Sequence, residues 1–237
     1  MTVYIEFIGP VGSGKTTLSE LVTQELTGKS ILLVDASPNQ QLTRQLSPEP
    51  PAHTLLSTLQ TLLENAGGLP PKNEAVDWAF HDLPISIGDD VDLIACGKGF
   101  FNGLGAASKK SLSYGFNRLC QAYDCVVLDG YDPTLHALLP PESLQVVMVS
   151  LPDVTVAPLP EELVFERTPG LIINRVAGTT LSPVLEALIQ RDALRLVGRI
   201  PHYVDTAGLN DKMPEAFRNC FLKLNIALLS PQSSGNP

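Results

Sequence analysis

The octapeptide Gly9-Pro10-Val11-Gly12-Ser13-Gly14-Lys15-Thr16 fits the pattern G-x-x-x-x-G-K-[ST], and no other stretch constrains the fold of this chain as much. Its surroundings carry the argument. An apolar, β-rich run, Val3–Ile8 (VYIEFI), precedes it, and Thr16–Leu26 follows with Leu18, Leu21, Val22 and Leu26 on one helical face. Strand, glycine-rich loop and helix in that order make a phosphate cradle. Gly9, Gly12 and Gly14 let the backbone curl so that its N–H groups converge on an anion. The helix that starts near Lys15 adds the positive end of its dipole. In such a loop Lys15 reaches the β- and γ-phosphates of a nucleoside triphosphate, the Thr16 hydroxyl ligates Mg²⁺, and Thr17 contacts the α-phosphate. A plain glycine-rich turn with a chance lysine would call for neither the flanking strand nor the helix.

Short apolar runs recur along the rest of the chain, at Ser30–Asp35, Val91–Cys96, Asp124–Asp129, Leu144–Ser150, Gly170–Asn174 and Leu196–Ile200. Helical patterns such as Leu112–Ala122 and Ser182–Arg191 fall between them. Runs that are apolar at every position suit strands covered on both sides. The alternation therefore predicts an α/β fold, a doubly wound, mostly parallel sheet with helices on both faces. With 237 residues, 44% of them hydrophobic, the expectation is a single P-loop NTPase domain over residues 1–230 and a frayed tail at 231–237. Residues 47–90 interrupt the alternation with Pro48, Pro50, Pro51, Pro70 and Pro71, and enclose a helical segment, Thr54–Asn65. They read as an insertion packed on the core. The final helix, about Pro214 to Leu229, places Phe217, Phe221, Leu224 and Leu228 on one stripe and reads as core packing. Its polar face is too poor in basic residues for a membrane-surface helix.

Sixteen basic residues against 25 acidic ones leave a net charge of -9. That balance argues against a DNA-binding face, because neutralising phosphates needs a basic surface. No apolar run approaches the roughly 20 residues that span a bilayer, so no transmembrane segment is expected. The expected location is cytoplasmic, or peripheral at a membrane through a partner. Cys96, Cys120, Cys125 and Cys220 form no CxxC pair and read as buried thiols. His53, His81, His136 and His202 are dispersed, without the spacing of metal ligands.

A phosphate loop that works on Mg²⁺-nucleotide also needs a carboxylate at the end of a neighbouring strand. Asp129, in CVVLDG, ends an apolar strand before a turn-prone segment; it is the candidate metal-side carboxylate, with a turn cap as the plainer role. Asp35, in LLVDASPN, also ends a strand, and its position suits either the γ-phosphate or the holding of a loop. The catalytic candidates are thus Lys15, Asp35 and Asp129, and the metal-side candidates are Thr16 and Asp129.

These segments taken in order, the N-terminal loop, LLVDASPNQQL, VDLIACGKG, YDCVVLDG, LIINRV and VGRIPH, resemble the MinD/ParA group of P-loop ATPases, to which the nitrogenase iron protein, the arsenite-pump ATPase and the maturation factor CooC are related. The resemblance covers nearly the whole chain and rests on order and spacing. It implies ATP and Mg²⁺ as cofactors, with Gly9 to Thr17 (Pro10, Val11 and Ser13 included) around the phosphates. It implies a switch I at Asp35–Leu42 and a switch II at Asp129–Pro133. It also implies an adenine pocket bounded by Asn174, Arg175 and the stretch from Ile200 to Val204, with Pro201 in it. Guanine-specific relatives carry N-K-x-D, where this chain has Asn174-Arg175-Val176-Ala177, which favours ATP over GTP.

Two departures from the family pattern stand out. The signature lysine after the first glycine, which in the family crosses a dimer interface, is replaced by Pro10, and the aspartate before the switch I proline is replaced by Ser37. Loss of a transition-state contact of this kind costs orders of magnitude in rate. The resemblance therefore implies an ATP-dependent switch with slow or partner-dependent hydrolysis, acting in positioning, assembly or maturation of an unknown protein partner, with an ATP-dependent homodimer as one arrangement. Three other readings remain open: a GTP-dependent metal chaperone of the nickel-insertion type, whose phosphate loop GPVGSGKT resembles; a small-molecule kinase or ligase using Asp132 or Asp35 as base; and a nucleotide-binding regulator that does not hydrolyse.

Overall fold

The computed structural model describes residues 2–9, 12–67, 69–97, 104–141, 143–150, 170–176, 190, 195–201 and 219. The expected helices at 182–191 and 214–229, the tail, Cys220 and His202 lie outside these or are touched at single positions. The chain divides into two compact units, Met1–Ile8 with Gly28–Gln145, and Gly9–Thr27 with Val146–Pro237.

In the first unit the sheet follows the order β3 (Ile85–Gly88), β4 (Val91–Ala95), β2 (Ile31–Asp35), β5 (Cys125–Asp129), β1 (Val3–Ile8). β2 runs parallel to β4 and to β5, and β1 runs parallel to β5. Only β3 is antiparallel, joined to β4 by a tight hairpin in which Asp90 takes φ 59°. Every residue of β2 and β5 is buried. This is the signature of strands covered on both faces, and it is why ILLVD and CVVLD carry no polar alternation.

One face of this sheet carries Leu32, Val34, Ile94, Val126 and Leu128. Packed into one cluster with it are Leu55, Leu59 and Leu62 of α3 (Leu55–Asn65), Val76 and Phe80 of α4 (Asn73–His81), Leu112 and Phe116 of α5 (Ala106–Cys120), and Leu135 of the short α6 (Pro133–His136). Residues 47–90 thus supply two helices and an edge strand to this core. The i, i+4, i+7 spacing of the α3 leucines puts them on one stripe. Thr54 and Ser57 close a capping box at its start, the Thr54 amide donating to Ser57 Oγ at 2.8 Å and the Ser57 amide to Thr54 Oγ1 at 3.2 Å. Such a cap contributes about 1 kcal/mol.

The second unit holds α1 (Lys15–Glu25), with Leu18, Leu21 and Val22 buried, and three strands in the order β6 (Leu144–Ser150), β7 (Gly170–Val176), β8 (Arg195–Pro201), the first two residues of β6 belonging to the first unit. β6 and β7 are parallel, as are β7 and β8. The expected mostly parallel α/β architecture is the one observed. The elements not anticipated are α2 (Gln41–Leu46), α4, β3 and α6, all short or proline-flanked.

Candidate nucleotide site

The phosphate loop belongs to the second unit. A Cβ built on Gly9 would sit 2.4 Å from the Met148 carbonyl oxygen on β6 and 3.0 Å from Ser13 Oγ. The first glycine of the motif is therefore required by the approach of the loop to the β6 backbone. Gly12 and Gly14 take φ 80° and 95°, left-handed values that suit glycine. Gly14 is the N-cap of α1; no side chain caps this helix and no acidic residue lies in its first turn. The helix start therefore presents amide donors and the positive dipole end with no carboxylate in its own first turn, a donor set that suits a phosphate chain. Lys15 arches back over the loop it closes, its Nζ donating to the Gly9 carbonyl at 2.8 Å. Thr16 and Thr17 follow in the first turn, half-buried.

In the same unit the parallel strands end side by side. Ser150 is in register with Asn174, and Val176 with Pro201. Gly9 abuts β6 two residues before Ser150, so the loop sits toward the carboxyl ends of these strands, where open α/β sheets hold ligands. Asn174, Arg175 and Pro201 occupy those strand ends. Their side chains, and the residues Pro10 and Val11, lie outside the described set.

The two candidate aspartates belong to the first unit. Asp35 and Asp129 are register partners at the ends of β2 and β5, both fully buried. Asp129 is also in register with Phe7, two residues before the loop begins, and the amide after it, Gly130 N, bonds the Phe7 carbonyl at 3.1 Å. Asp35 accepts four hydrogen bonds from the segment that follows it. Oδ1 takes the Ser37 amide at 3.1 Å and the Ser37 hydroxyl at 2.5 Å; Oδ2 takes the Thr43 amide and hydroxyl, each at 2.8 Å. Of the two roles the sequence left open, loop-holding is the one that the geometry displays. The Ser37 oxygen, besides donating to Asp35, accepts the Gln41 amide at 3.1 Å.

The turn after Asp129 touches that loop. Gly130 has φ 106°, and a Cβ there would lie 3.2 Å from the Ser37 nitrogen. The Ala36 amide bonds the Asp129 carbonyl at 3.1 Å. Asp132 caps α6 through the Thr134 and Leu135 amides at 2.9 and 3.1 Å. As a helix cap, its carboxylate gives the kinase or ligase reading no particular support.

Sequence reasoning missed one buried polar pair. Glu6, wholly buried on β1, accepts or shares a proton with His136 Nδ1 at 2.7 Å, and the His136 ring stacks obliquely on Tyr131 at 5.4 Å. Burial raises the Glu6 carboxyl above its ordinary range, outweighing the pull of His136. The available signal was the single glutamate interrupting VYIEFI. Cys96, Cys120 and Cys125 are buried free thiols. Burial, and then the charges of Asp35 and Asp132, push Cys96 well above the usual thiol range, and burial raises Cys125 to about 12. Among the described residues no group of three His, Cys, Asp or Glu side chains is placed to hold a metal ion, and no helix is long and apolar enough to cross a membrane.

No family model and no curated protein matches the chain. Solved structures do. MinD from Pyrococcus horikoshii, complexed with Mg-ADP, aligns at TM-score 0.57 and 19% identity over 93% of this chain and 94% of that one. A plasmid partition protein from Borrelia burgdorferi aligns at TM-score 0.62 and 18% identity over 96% and 99%. An aspartate-to-alanine variant of McdA from Cyanothece, in complex with ATP, aligns at TM-score 0.61 and 17% identity over 94% and 97%. With the phosphate loop, the parallel strands and nearly full mutual coverage, the chain has the fold of the MinD and ParA-like P-loop ATPases.

Proposed function

We propose that this protein binds ATP·Mg²⁺ and acts as a nucleotide-dependent switch that hydrolyses ATP slowly, or only with a partner. The observation that carries this reading is the start of α1, uncapped, free of acidic side chains in its first turn, opened by Gly12 and Gly14, and spanned by Lys15. The nucleotides named with the structurally similar MinD and McdA proteins, Mg-ADP and ATP, support it.

In this reading the loop amides and Lys15 hold the β- and γ-phosphates, Thr17 holds the α-phosphate, and Asn174, Arg175 and Pro201 border the base. Thr16 and Asp129 hold Mg²⁺, which when bound neutralises charge on the β- and γ-phosphates. Asp35 orders the loop from Ser37 to Thr43, and that loop leans on Gly130, so the two strand-end turns respond together. Slow hydrolysis follows from residue chemistry. Pro10 provides no cation, and the Ser37 hydroxyl is both a poor base and already bonded to Asp35. The biological setting is the positioning, assembly or maturation of a partner protein; the net charge of -9 sets it apart from a DNA-coating role.

The test is calorimetric titration with ATP and GTP in Mg²⁺, followed by single-turnover hydrolysis. The expected results are saturable binding that prefers ATP and is lost in Lys15→Ala, with turnover far below about 1 s⁻¹ in the absence of a partner. Binding selective for GTP would overturn the ATP reading. Fast turnover of the isolated protein would overturn the proposed role of Pro10 and Ser37, and its complete absence under every condition would leave a binding-only regulator.

A further inference from the structure

A glutamate stands in β1 where a buried strand calls for an apolar side chain. Glu6 is wholly buried, in register with Leu128 of β5. Its Oε2 lies 2.7 Å from His136 Nδ1, and its Oε1 is buried without a hydrogen-bond partner. A buried ionisable pair with one oxygen left over is a poor way to gain stability, because well-packed apolar side chains of similar volume usually do as well or better. His136 connects this pair to the turn that follows Asp129. It is the last residue of α6, its ring packs on Tyr131 with centroids 5.4 Å apart, and its amide donates to the Asp132 carbonyl at 2.8 Å. The segment is tied to β1 at both ends, by the Gly130 amide on the Phe7 carbonyl at 3.1 Å and by His136 on Glu6. All of these residues belong to the first unit.

The 2.7 Å contact needs a proton between its two atoms. A carboxylate that accepts from a neutral imidazole leaves one buried negative charge. One further proton makes the pair neutral overall, as a carboxylic acid on an imidazole or a carboxylate on an imidazolium. Burial disfavours net charge, and it raises the Glu6 carboxyl against the pull of His136. The His136 side chain is 17% exposed, so its ring can pass a proton between solvent and the buried carboxylate. The other ionisable groups around the pair are Tyr4 on β1, Asp129 at the end of β5, and Tyr131 and Asp132 in the turn. Asp132 caps α6, and with Asp35 of β2 it acts on the Cys96 thiol after β4. On α5, in the same core cluster, Tyr114 and Arg118 turn to Asp77 of α4, and Lys109 and Lys110 are exposed.

We propose that Glu6 and His136 form a proton-operated latch on the turn after Asp129. With its extra proton the pair holds α6 against β1, and loss of that proton loosens the segment from Tyr131 to His136. The sign follows from linkage. Opening hydrates Glu6 and returns its carboxyl to the ordinary range, so the closed turn is favoured at low pH and gives way as pH rises through the raised value. On the proposed reading this segment is switch II, and the latch makes its order depend on pH. The latch is tested without nucleotide, so its failure leaves the ATP reading where it stood.

Isotope labelling of glutamate carboxyls and histidine rings lets NMR follow Glu6 and His136 in the full chain as pH is varied. The expected result is that both report one common transition, with its midpoint above the ordinary carboxylate range. Amide exchange, corrected for intrinsic base catalysis, should show the Gly130, Leu135 and His136 amides losing protection roughly tenfold or more across that transition, while the Val127 amide of β5 holds its own. Weakening of the Asp132 cap by protonation would act in the opposite direction, lowering protection as pH falls, so the sign separates the two. Glu6→Gln keeps the shape and can still bond Nδ1, but its amide cannot take up the proton. In that variant the turn amides should keep their protection through the range where the parent loses it. Three outcomes would overturn the latch. They are transitions of Glu6 and His136 at unrelated pH values, turn protection in the parent that stays level or rises with pH, and a loss of protection in Glu6→Gln equal to that of the parent.

Discussion

Replacing Asp35 by asparagine tests whether this carboxylate works by holding a loop. The carboxylate accepts four hydrogen bonds, two on each oxygen, from Ser37 and Thr43. Asparagine keeps one carbonyl oxygen and turns its NH₂ toward the other pair of donors. Two charge-assisted bonds are then lost, at about 1.5–3 kcal/mol each and not strictly additive, so the expected loss of stability is about 3–5 kcal/mol. Thr43→Val removes one of the four with little change of shape and should cost about 1.5–3 kcal/mol. Urea unfolding followed by circular dichroism reads the global term. Amide exchange at Thr43, whose N–H is held by Asp35 at 2.8 Å, reads the local one. If the loop opens without global unfolding, Thr43 protection collapses while the urea midpoint stays nearly fixed, which still places the role in the loop. The reasoning fails if Asp35→Asn changes stability by less than about 0.5 kcal/mol and leaves Thr43 protection intact.

Three further perturbations follow from the same geometry. Gly9→Ala places a methyl carbon 2.4 Å from the Met148 carbonyl oxygen, so the loop must shift; an overpacking cost of about 1–3 kcal/mol and weakened ATP binding are expected, and wild-type affinity in that variant would refute the contact. Glu6 is protonated more readily in the folded than in the unfolded chain, because burial raises its carboxyl. Its stabilising contribution is therefore present below the ordinary carboxylate range and lost as pH rises through the raised value. Glu6→Gln should accordingly be more stable than the parent at neutral pH, with the gap closing on acidification; a gap that widens in acid would contradict this. Cys96, Cys120 and Cys125 are buried with raised thiol pKa, so they should react with a disulfide reagent only after denaturant is added, as counted by released chromophore.

The legible part of the fold was the part governed by local rules. VYIEFI, ILLVD and CVVLD are apolar at almost every position, and strands buried on both faces leave that trace in any sequence. The loop was legible because Gly9, Gly12, Gly14, Lys15 and Thr16 each answer a separate physical demand. What stayed hidden depended on contacts distant in sequence. The helix α4 begins after Pro70 and Pro71 and buries only Val76 and Phe80, too few to mark a period. The four-residue α6 exists because Asp132 caps it and Leu135 enters the core. The Glu6–His136 pair joins residues 130 positions apart, beyond the reach of any window. Asp35 was legible as a position but not as a role, because its partner Thr43 lies eight residues on, in a helix too short to show periodicity.

Ser37 changes meaning once its neighbours are known. Read from the sequence, it is a missing aspartate and a reason for slow chemistry. In the structure it is also a junction. Its hydroxyl bonds Asp35, its oxygen receives the Gln41 amide, and its backbone nitrogen lies against Gly130, the residue after Asp129. A side chain added at position 130 would crowd the Ser37 nitrogen at 3.2 Å, and Ser37 is itself tied to Asp35 through its amide and its hydroxyl. On the proposed reading, Asp129 would help to hold Mg²⁺, and any shift of the turn after it would be felt in the loop from Ser37 to Thr43, whether or not hydrolysis follows. Switching and hydrolysis are then separable. Ser37→Ala should loosen the loop and lower the protection of the Gln41 and Thr43 amides while leaving nucleotide affinity close to the parent value, because the phosphate loop is untouched. Loss of ATP affinity in Ser37→Ala comparable to that in Lys15→Ala would show instead that Ser37 contacts the nucleotide itself, and would end the argument for a purely mechanical junction.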